Sequence, residues 1–228
     1  MVAAAAGQPQ LLVFSRTAGF RHQSIPAGLT ALTQLAQQNG LGLTATEDPT
    51  EFNDTFLANF AAVVFLSTTG DVLNETEQAA FERYVAAHHG FVGVHAAAAC
   101  EYNWPFYGGL VGAYFAGHSD VGPASVDLET VIHASLSGLP SPWRRSDEWY
   151  GFRTNPRAQV TVLLTVDEAS FDAGPGSMGA DHPVAWFHEY QGGRAFYTAL
   201  GHTAESFSDP VFMGHLLGGI QWAAGSAP

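Results

Sequence analysis

The sequence is short of cysteine, of positive charge and of long apolar runs. A single cysteine, Cys100, among 228 residues allows no internal disulfide. That suits the cytoplasm, the location expected here, although secretion as part of a longer chain also fits. Eight Lys+Arg against 21 Asp+Glu leave a net charge of -13. Such a surface repels phosphate backbones and anionic bilayers, so neither nucleic acid nor a membrane is an expected partner. No apolar run approaches the roughly 20 residues of a membrane span. HxxEH, HExxH, CxxC and GxSxG spacings are missing too, which removes the standard zinc signatures and the serine nucleophile elbow. Gly174-Pro-Gly176 and Gly192-Gly193 lack a P-loop Lys and a strand-to-helix setting, and read as turns. Cys100 has no basic neighbour in sequence and reads as a small loop residue. What remains is a neutral ligand, or one recognised by hydrogen bonds.

What is present is mostly apolar. At 46% hydrophobic and 13% charged, the chain can bury one sizeable core. Residues 10–224 read as one domain between loose ends at 1–9 and 225–228, and the whole fits equally well as one domain of a longer protein. The first segment lacks the basic and apolar regions of an intact signal peptide.

Taken in order, Gln10 to Phe14 is a buried strand, followed by a loop carrying Arg16, Arg21 and His22. Ser24 is the expected N-cap of a helix with Pro26 in its first turn and Gly40 as its stop. Leu41 to Thr46 alternates as a strand, 50–59 reads as a short helix, and Phe60 to Leu66 is a third strand. Asn74 caps the next helix, and Gly90 to Val94 is a fourth strand, apolar on both faces. Strand and helix alternating in this way imply a flavodoxin-like, doubly wound α/β fold with a mostly parallel sheet. Beyond His95 the pattern loosens. An aromatic loop spans 102–107, a short helix is expected over 107–115, and strands over 124–129, 148–152 and 160–166. The segments 136–143 and 171–181 read as connections. A hairpin over 183–190 and 194–200 turns at Gln191-Gly-Gly193, and 209–222 closes as a helix. These later strands pair locally, so antiparallel strands are expected at one sheet edge, beside long aromatic loops.

Ten histidines exceed what a core needs. His22, His95 and His202 each sit where the chain leaves a strand, and ligands of open parallel sheets bind beyond the strand tips. These three are expected to converge, with His118 as a fourth. A histidine there serves as acid, base, metal ligand or hydrogen-bond donor, or merely ties a loop down. His88 and His89 end a helix, where imidazolium complements the dipole. His133, His188 and His215 read as loop or packing residues, and His182 lies just before the hairpin. Asp147 and Glu148 are adjacent carboxylates. On an extended segment one faces the crevice and the other does not. Glu148 accepting a histidine N–H would fix that ring's tautomer, or a carboxylate could itself act as base. Trp104, Phe106, Tyr107, Tyr114, Trp149, Tyr150 and Phe152 gather in the irregular loops, as stacking faces for sugar rings or as a satellite core.

Phe20-Arg21-His22, Gly93-Val94-His95, Asp147-Glu148 and the run from Gly193-Arg194 to Gly201-His202 together resemble the trehalose-utilisation (ThuA-like) family, over about residues 11–222. The resemblance implies a fold like that of the class I glutamine amidotransferases. In those enzymes the fourth-strand tip carries a cysteine nucleophile. Here His95 stands there, so thiol-dependent glutamine hydrolysis is not expected. It further implies a role in catabolism of trehalose, related disaccharides or 3-keto-glycosides, beside or fused to sugar oxidoreductases. Relatives often read His-Ala-Ala-Ala-Asp after the fourth strand, whereas this chain has Ala99 there, with Glu101 as the nearby substitute.

Catalytic roles are thus expected of His22, His95, His202, Glu148 and Asp147, and substrate contacts of Arg21, His118, Trp104, Tyr107 and Tyr150. The sequence identifies no cofactor with certainty. A divalent metal ion is compatible, with His22, His95, His118 and His202 as its candidates. The first reading is an enzyme that cleaves or processes a glycoside or 3-keto-glycoside, by hydrolysis or elimination. The alternatives are a non-catalytic carbohydrate-binding or sensing module, and an accessory subunit of a sugar oxidoreductase. A homodimer is compatible with each.

Overall fold

The computed structural model describes residues 7–227. Of the expected loose ends, residues 1–6 and 228 lie outside the described residues. Strand and helix alternate through β1 (Gln10–Phe14), α1 (Ile25–Gln38), β2 (Gly42–Thr46), α2 (Asp54–Leu57), β3 (Ala62–Leu66), α3 (Glu75–Ala86) and β4 (Gly90–Val94). β3 and β4 are buried along their whole length, as parallel strands covered on both faces must be. Then follow α4 (Pro105–Val111), β5 (Phe115–His118), β6 (Gly122–Leu128), β7 (Trp143–Asp147), β8 (Tyr150–Phe152), β9 (Thr161–Asp167), β10 (Pro183–Tyr190), β11 (Gly193–Thr198) and α5 (Pro210–Ala223).

Nine strands form one sheet in the order β2-β1-β3-β4-β11-β10-β9-β6-β7. Its first five strands are parallel and run in the flavodoxin-like order, with β11 in the fifth place. The other four are antiparallel, so the expected mixed sheet is what forms. Gln191 and Gly192 make the two-residue turn between β10 and β11, both at positive φ, as a type I′ hairpin requires. β5 and β8 make a separate antiparallel ribbon. Among the described residues, no helix is long and apolar enough to cross a membrane.

Several local expectations are corrected. Ser24 precedes α1 but makes no side-chain cap; its hydroxyl instead donates to Gly201 O at 3.3 Å, tying the α1 entry to the loop after β11. The helix expected over 50–59 divides into a 3₁₀ turn at Pro49–Glu51 and α2. Asp48 and Asn53 each cap a fresh N-terminus, and so restart the chain. Asn74 does cap α3, in a reciprocal box with Glu77. The helix expected over 107–115 lies earlier, at α4, and the chain then enters β5, a strand too short to show alternation. β7 begins where a connection was expected.

Candidate functional site

His22, His95, His202 and Glu148 meet beyond the carboxyl ends of the parallel strands. One ligand atom from each lies within 4.8 Å of the others. His22 comes from the loop after β1, His95 is the first residue after β4, His202 follows β11, and Glu148 lies between β7 and β8. His95 is fully buried, with φ of 51°. That left-handed backbone costs an L-residue about 1–2 kcal/mol. It is held by Tyr197, whose hydroxyl donates to His95 O at 2.8 Å, and by the ring itself, where Nδ1 meets Ala199 O at 2.7 Å. A carbonyl only accepts, so Nδ1 carries the proton and Nε2 turns a lone pair inward.

Asp147 and Glu148 divide as expected of neighbours on an extended segment. Asp147 is fully buried and accepts from the backbone N–H of Gly201 at 2.9 Å and of His202 at 3.0 Å. Arg145 pairs with the same carboxylate at 2.9 Å. The turn it grips has Gly201 at φ 111°, which requires glycine. The expectation of a catalytic Asp147 is therefore corrected: its oxygens are occupied by the loop, and it positions His202. Glu148 faces the cluster. Its Oε2 lies 3.1 Å from His202 Nδ1 and 3.4 Å from His95 Nε2, and its Oε1 lies 3.2 Å from His118 Nδ1.

The β5–β8 ribbon supplies the fourth expected histidine. His118 pairs across it with Tyr150, whose ring packs 4.2 Å from His95. His118 Nδ1 also meets Ser119 O at 2.8 Å, and the side chain is 48% exposed. The Gly-Pro-Gly turn packs bare backbone on this ribbon: a Cβ at Gly151 would collide with Gly176 O. Behind it, His182 bridges Glu168 at 2.7 Å and Tyr150 O at 2.8 Å.

The electrostatics favour a neutral His22 and an ionised Glu148. Burial, then the neighbouring His95 and His202, lower the pKa of His22 to about 3. Burial opposes the charged form of Glu148, but the hydrogen bond from His202 and the neighbouring histidines outweigh it and hold the carboxyl well below its usual range. The hydrogen bond to Glu148 raises His202. The atoms also fit a metal geometrically. His95 Nε2 and His202 Nδ1 are 3.1 Å apart, which with Glu148 Oε2 closes a triangle of 3.1–3.4 Å edges. A divalent ion bonded at about 2.0–2.2 Å sets edges of about 3.0–3.5 Å between its ligands. His22 Nδ1 is buried without a hydrogen-bond partner. The His95 N–H on a backbone carbonyl is the usual outer support of a ligating histidine. His118 stands apart from this set.

Other expected residues are elsewhere. Trp104 and Tyr107 are core residues, not sugar platforms: Trp104 Nε1 donates to Glu82, Tyr107 donates to Ala97 O, and the two rings stack. Arg21 pairs with Glu47 at 2.6 Å and makes no contact with the cluster. Glu101 cannot stand in for the family aspartate, because Val72 N, Leu73 N and Gln78 Nε2 occupy its carboxylate. Cys100 is buried, with its thiol on Gly70 O, and burial pushes its pKa up. The chain has no lysine, so imine chemistry on a lysine amine is excluded. Sequence reasoning missed Phe20, Val121 and Phe115 beside the cluster. Their signal was adjacency to Arg21-His22 and His118.

Comparison with known proteins follows this geometry. The profile of the trehalose-utilisation (ThuA) family matches residues 10–223. Among solved structures, a ThuA-like protein from Bacteroides uniformis is 24% identical, with a TM-score of 0.82 over 98% of this chain and 95% of its own. A second, from Parabacteroides merdae, is 20% identical, with a TM-score of 0.78 over 95% and 90%. PurLQS from Thermotoga maritima is 10% identical, with a TM-score of 0.56 over 94% and 99%, which bears out the amidotransferase-like fold. A search of curated proteins finds no match.

Proposed function

The chain belongs to the trehalose-utilisation (ThuA) family of carbohydrate metabolism, and from that premise we propose that it cleaves a 3-keto-glycoside at the cluster, with a divalent cation held by His22, His95, His202 and Glu148. What carries this reading is the meeting of those four ligand atoms within 4.8 Å at the strand ends. When bound, such a cation supplies Lewis-acid polarisation of a sugar oxygen. The protein's own groups move the protons. Ser119 O and Glu148 Oε1 hold His118 Nδ1, leaving Nε2 free as a base. The keto group acidifies the neighbouring C2 proton, which passes to Nε2. The C–H electron pair forms the C1–C2 double bond, the C1–O bond breaks, and the leaving oxygen takes the proton from His118, which returns to its neutral form. Water added across that double bond completes a net hydrolysis. We place this activity in the cytoplasm, in keeping with a single, buried, unpaired thiol.

Metal analysis of the purified protein comes first. Incubation with trehalose, other disaccharides and their 3-keto derivatives follows, with and without EDTA, with products read by mass spectrometry. We expect about one divalent ion per chain, and turnover of a keto sugar that both EDTA and His95→Ala abolish. Turnover surviving His95→Ala would overturn the assignment. Sugar binding without turnover would make the protein a binding module.

A further inference from the structure

Two clefts open on either side of the cluster, and we propose that they are the two ring subsites of a disaccharide-sized ligand, with Asp172 and Phe20 setting which rings are accepted. This rests on the carbohydrate reading above and adds where each ring sits. One cleft, of about 570 Å³, is lined by Phe115, His118, Ser119, Asp120, Asp172 and Pro175. The other, of about 400 Å³, is lined by Phe20, His22, Gln23, Val121, His202 and Glu205. Both volumes fall in the roughly 300–1,000 Å³ span of small-molecule sites.

The clefts are halves of one binding region because they adjoin along one wall and are joined behind it by one carboxylate. The shared wall is the short segment from His118 to Val121: His118, Ser119 and Asp120 line the first cleft, and Val121 lines the second. The carboxylate is Glu148, which lines neither cleft but lies behind a histidine of each. Its Oε1 holds His118 of the first cleft at 3.2 Å, and its Oε2 holds His202 of the second at 3.1 Å. A ligand filling both would therefore carry its inter-ring linkage past His118 and His202, the histidines that line one cleft each.

The chemistry of the two walls differs. The first offers acceptors for hydroxyl groups: Asp120 is exposed, and Asp172 uses only Oδ1, on Gly174 N. Phe115 closes it with a ring stacked toward His118. The second is apolar at its lip. Phe20 is 68% exposed and Val121 49% exposed, two of three exposed large hydrophobic residues among the described ones. Phe20 is nevertheless held, its ring edge-on to His22 at 4.9 Å and its carbonyl accepting from Thr69 Oγ1 at 2.7 Å. A fixed, exposed phenyl ring beside polar groups is a face that the C–H side of a sugar covers. The first cleft thus selects a ring by its hydroxyls, and the second holds its partner by stacking.

Calorimetric titration tests this with trehalose, 3-keto-trehalose, glucose and 3-keto-glucose, against the wild-type chain, Phe20→Ala and Asp172→Asn. Both side chains are exposed, so the fold survives both changes. Phe20→Ala should weaken the disaccharides about tenfold and leave the monosaccharides unchanged, whereas Asp172→Asn should weaken both classes about tenfold. Equal losses for both classes in Phe20→Ala, or no effect of Asp172→Asn, would overturn the subsites while sugar binding by the wild type kept the carbohydrate reading. Absence of binding by the wild type to all four sugars would overturn both.

Discussion

Two groups of inward-facing histidine stand in contrast, and their nitrogens face different things. His215, on the buried side of α5, and His133, just before the 3₁₀ turn packed against that helix, lie in the apolar core. His215 Nδ1 meets Ser135 O at 3.0 Å and Nε2 meets Thr198 Oγ1 at 3.3 Å. His133 packs its ring 4.3 Å from Phe187 and bonds Ser135. Neither touches a carboxylate. His22, His95 and His202 instead turn toward one another and toward Glu148. Burial lowers His215 to about 3 and His133 to about 4, and it is the main cause lowering His22 to about 3. A depressed proton affinity therefore does not separate site from core here. Convergent lone pairs around a carboxylate do.

Glu148→Gln should break that comparison most sharply. It keeps the shape and removes the charge that gathers the three rings. We expect turnover to fall roughly 100-fold or more and metal affinity with it, while the melting temperature of the metal-free protein falls only modestly, since a carboxyl held below its usual range stabilises the native state at neutral pH. A lower melting temperature with metal and turnover intact would move Glu148 into the structural group. Asp147→Asn should act the other way round. It leaves the Arg145 guanidinium, buried over Trp143 and Phe212, with a weakened partner. Stability should fall by about 2–4 kcal/mol. Turnover should fall less than in Glu148→Gln, since only the placing of His202 suffers. Denaturant titration beside steady-state kinetics separates the two, and a turnover loss as deep as that of Glu148→Gln with unchanged stability would make Asp147 catalytic after all.

The two halves of the chain were unequally legible. In the first, strands adjacent in sequence are neighbours in space, and Gly90 to Val94 announces both its burial and the tip that presents His95. His22, His95 and His202 could be placed at one edge from strand order alone, because all three leave parallel strands. Glu148 could not. β7 is four strand spacings from β11, about 19 Å in a flat sheet at roughly 4.8 Å each. Asp147 nevertheless touches Gly201 and His202, so the antiparallel half must curl back over the parallel one. Nothing in local pattern encodes that curl. Composition likewise cannot tell an aromatic face that meets ligand from one that meets core. Trp104 and Tyr107 sit at the start of α4, in a stretch of sequence as rich in rings as the one holding Tyr150, yet only Tyr150 lies against His95.

The core histidines sharpen the comparison most gently, through pH. An unfolded chain binds a proton at His215 near the ordinary value of 6.5, whereas the native chain resists it down to about 3. Between those values the unfolded state holds more protons, so stability is fully present above pH 6.5 and falls as the solution is acidified toward 3. The melting temperature of metal-free protein should therefore decline across pH 6.5 to 4. His215→Leu should lower it at pH 7, by about 1–3 kcal/mol of stability, because Ser135 O and Thr198 lose their partner. The same variant should also flatten the acid slope without abolishing it, since His22 and His133 are depressed for the same reason. Metal must be removed first, because a bound cation would hold the His22 group unprotonated and hide its share of the slope. An unchanged slope in His215→Leu would mean that the acid sensitivity belongs to His133 and the strand-tip cluster, and that His215 is protonated with no cost to the fold.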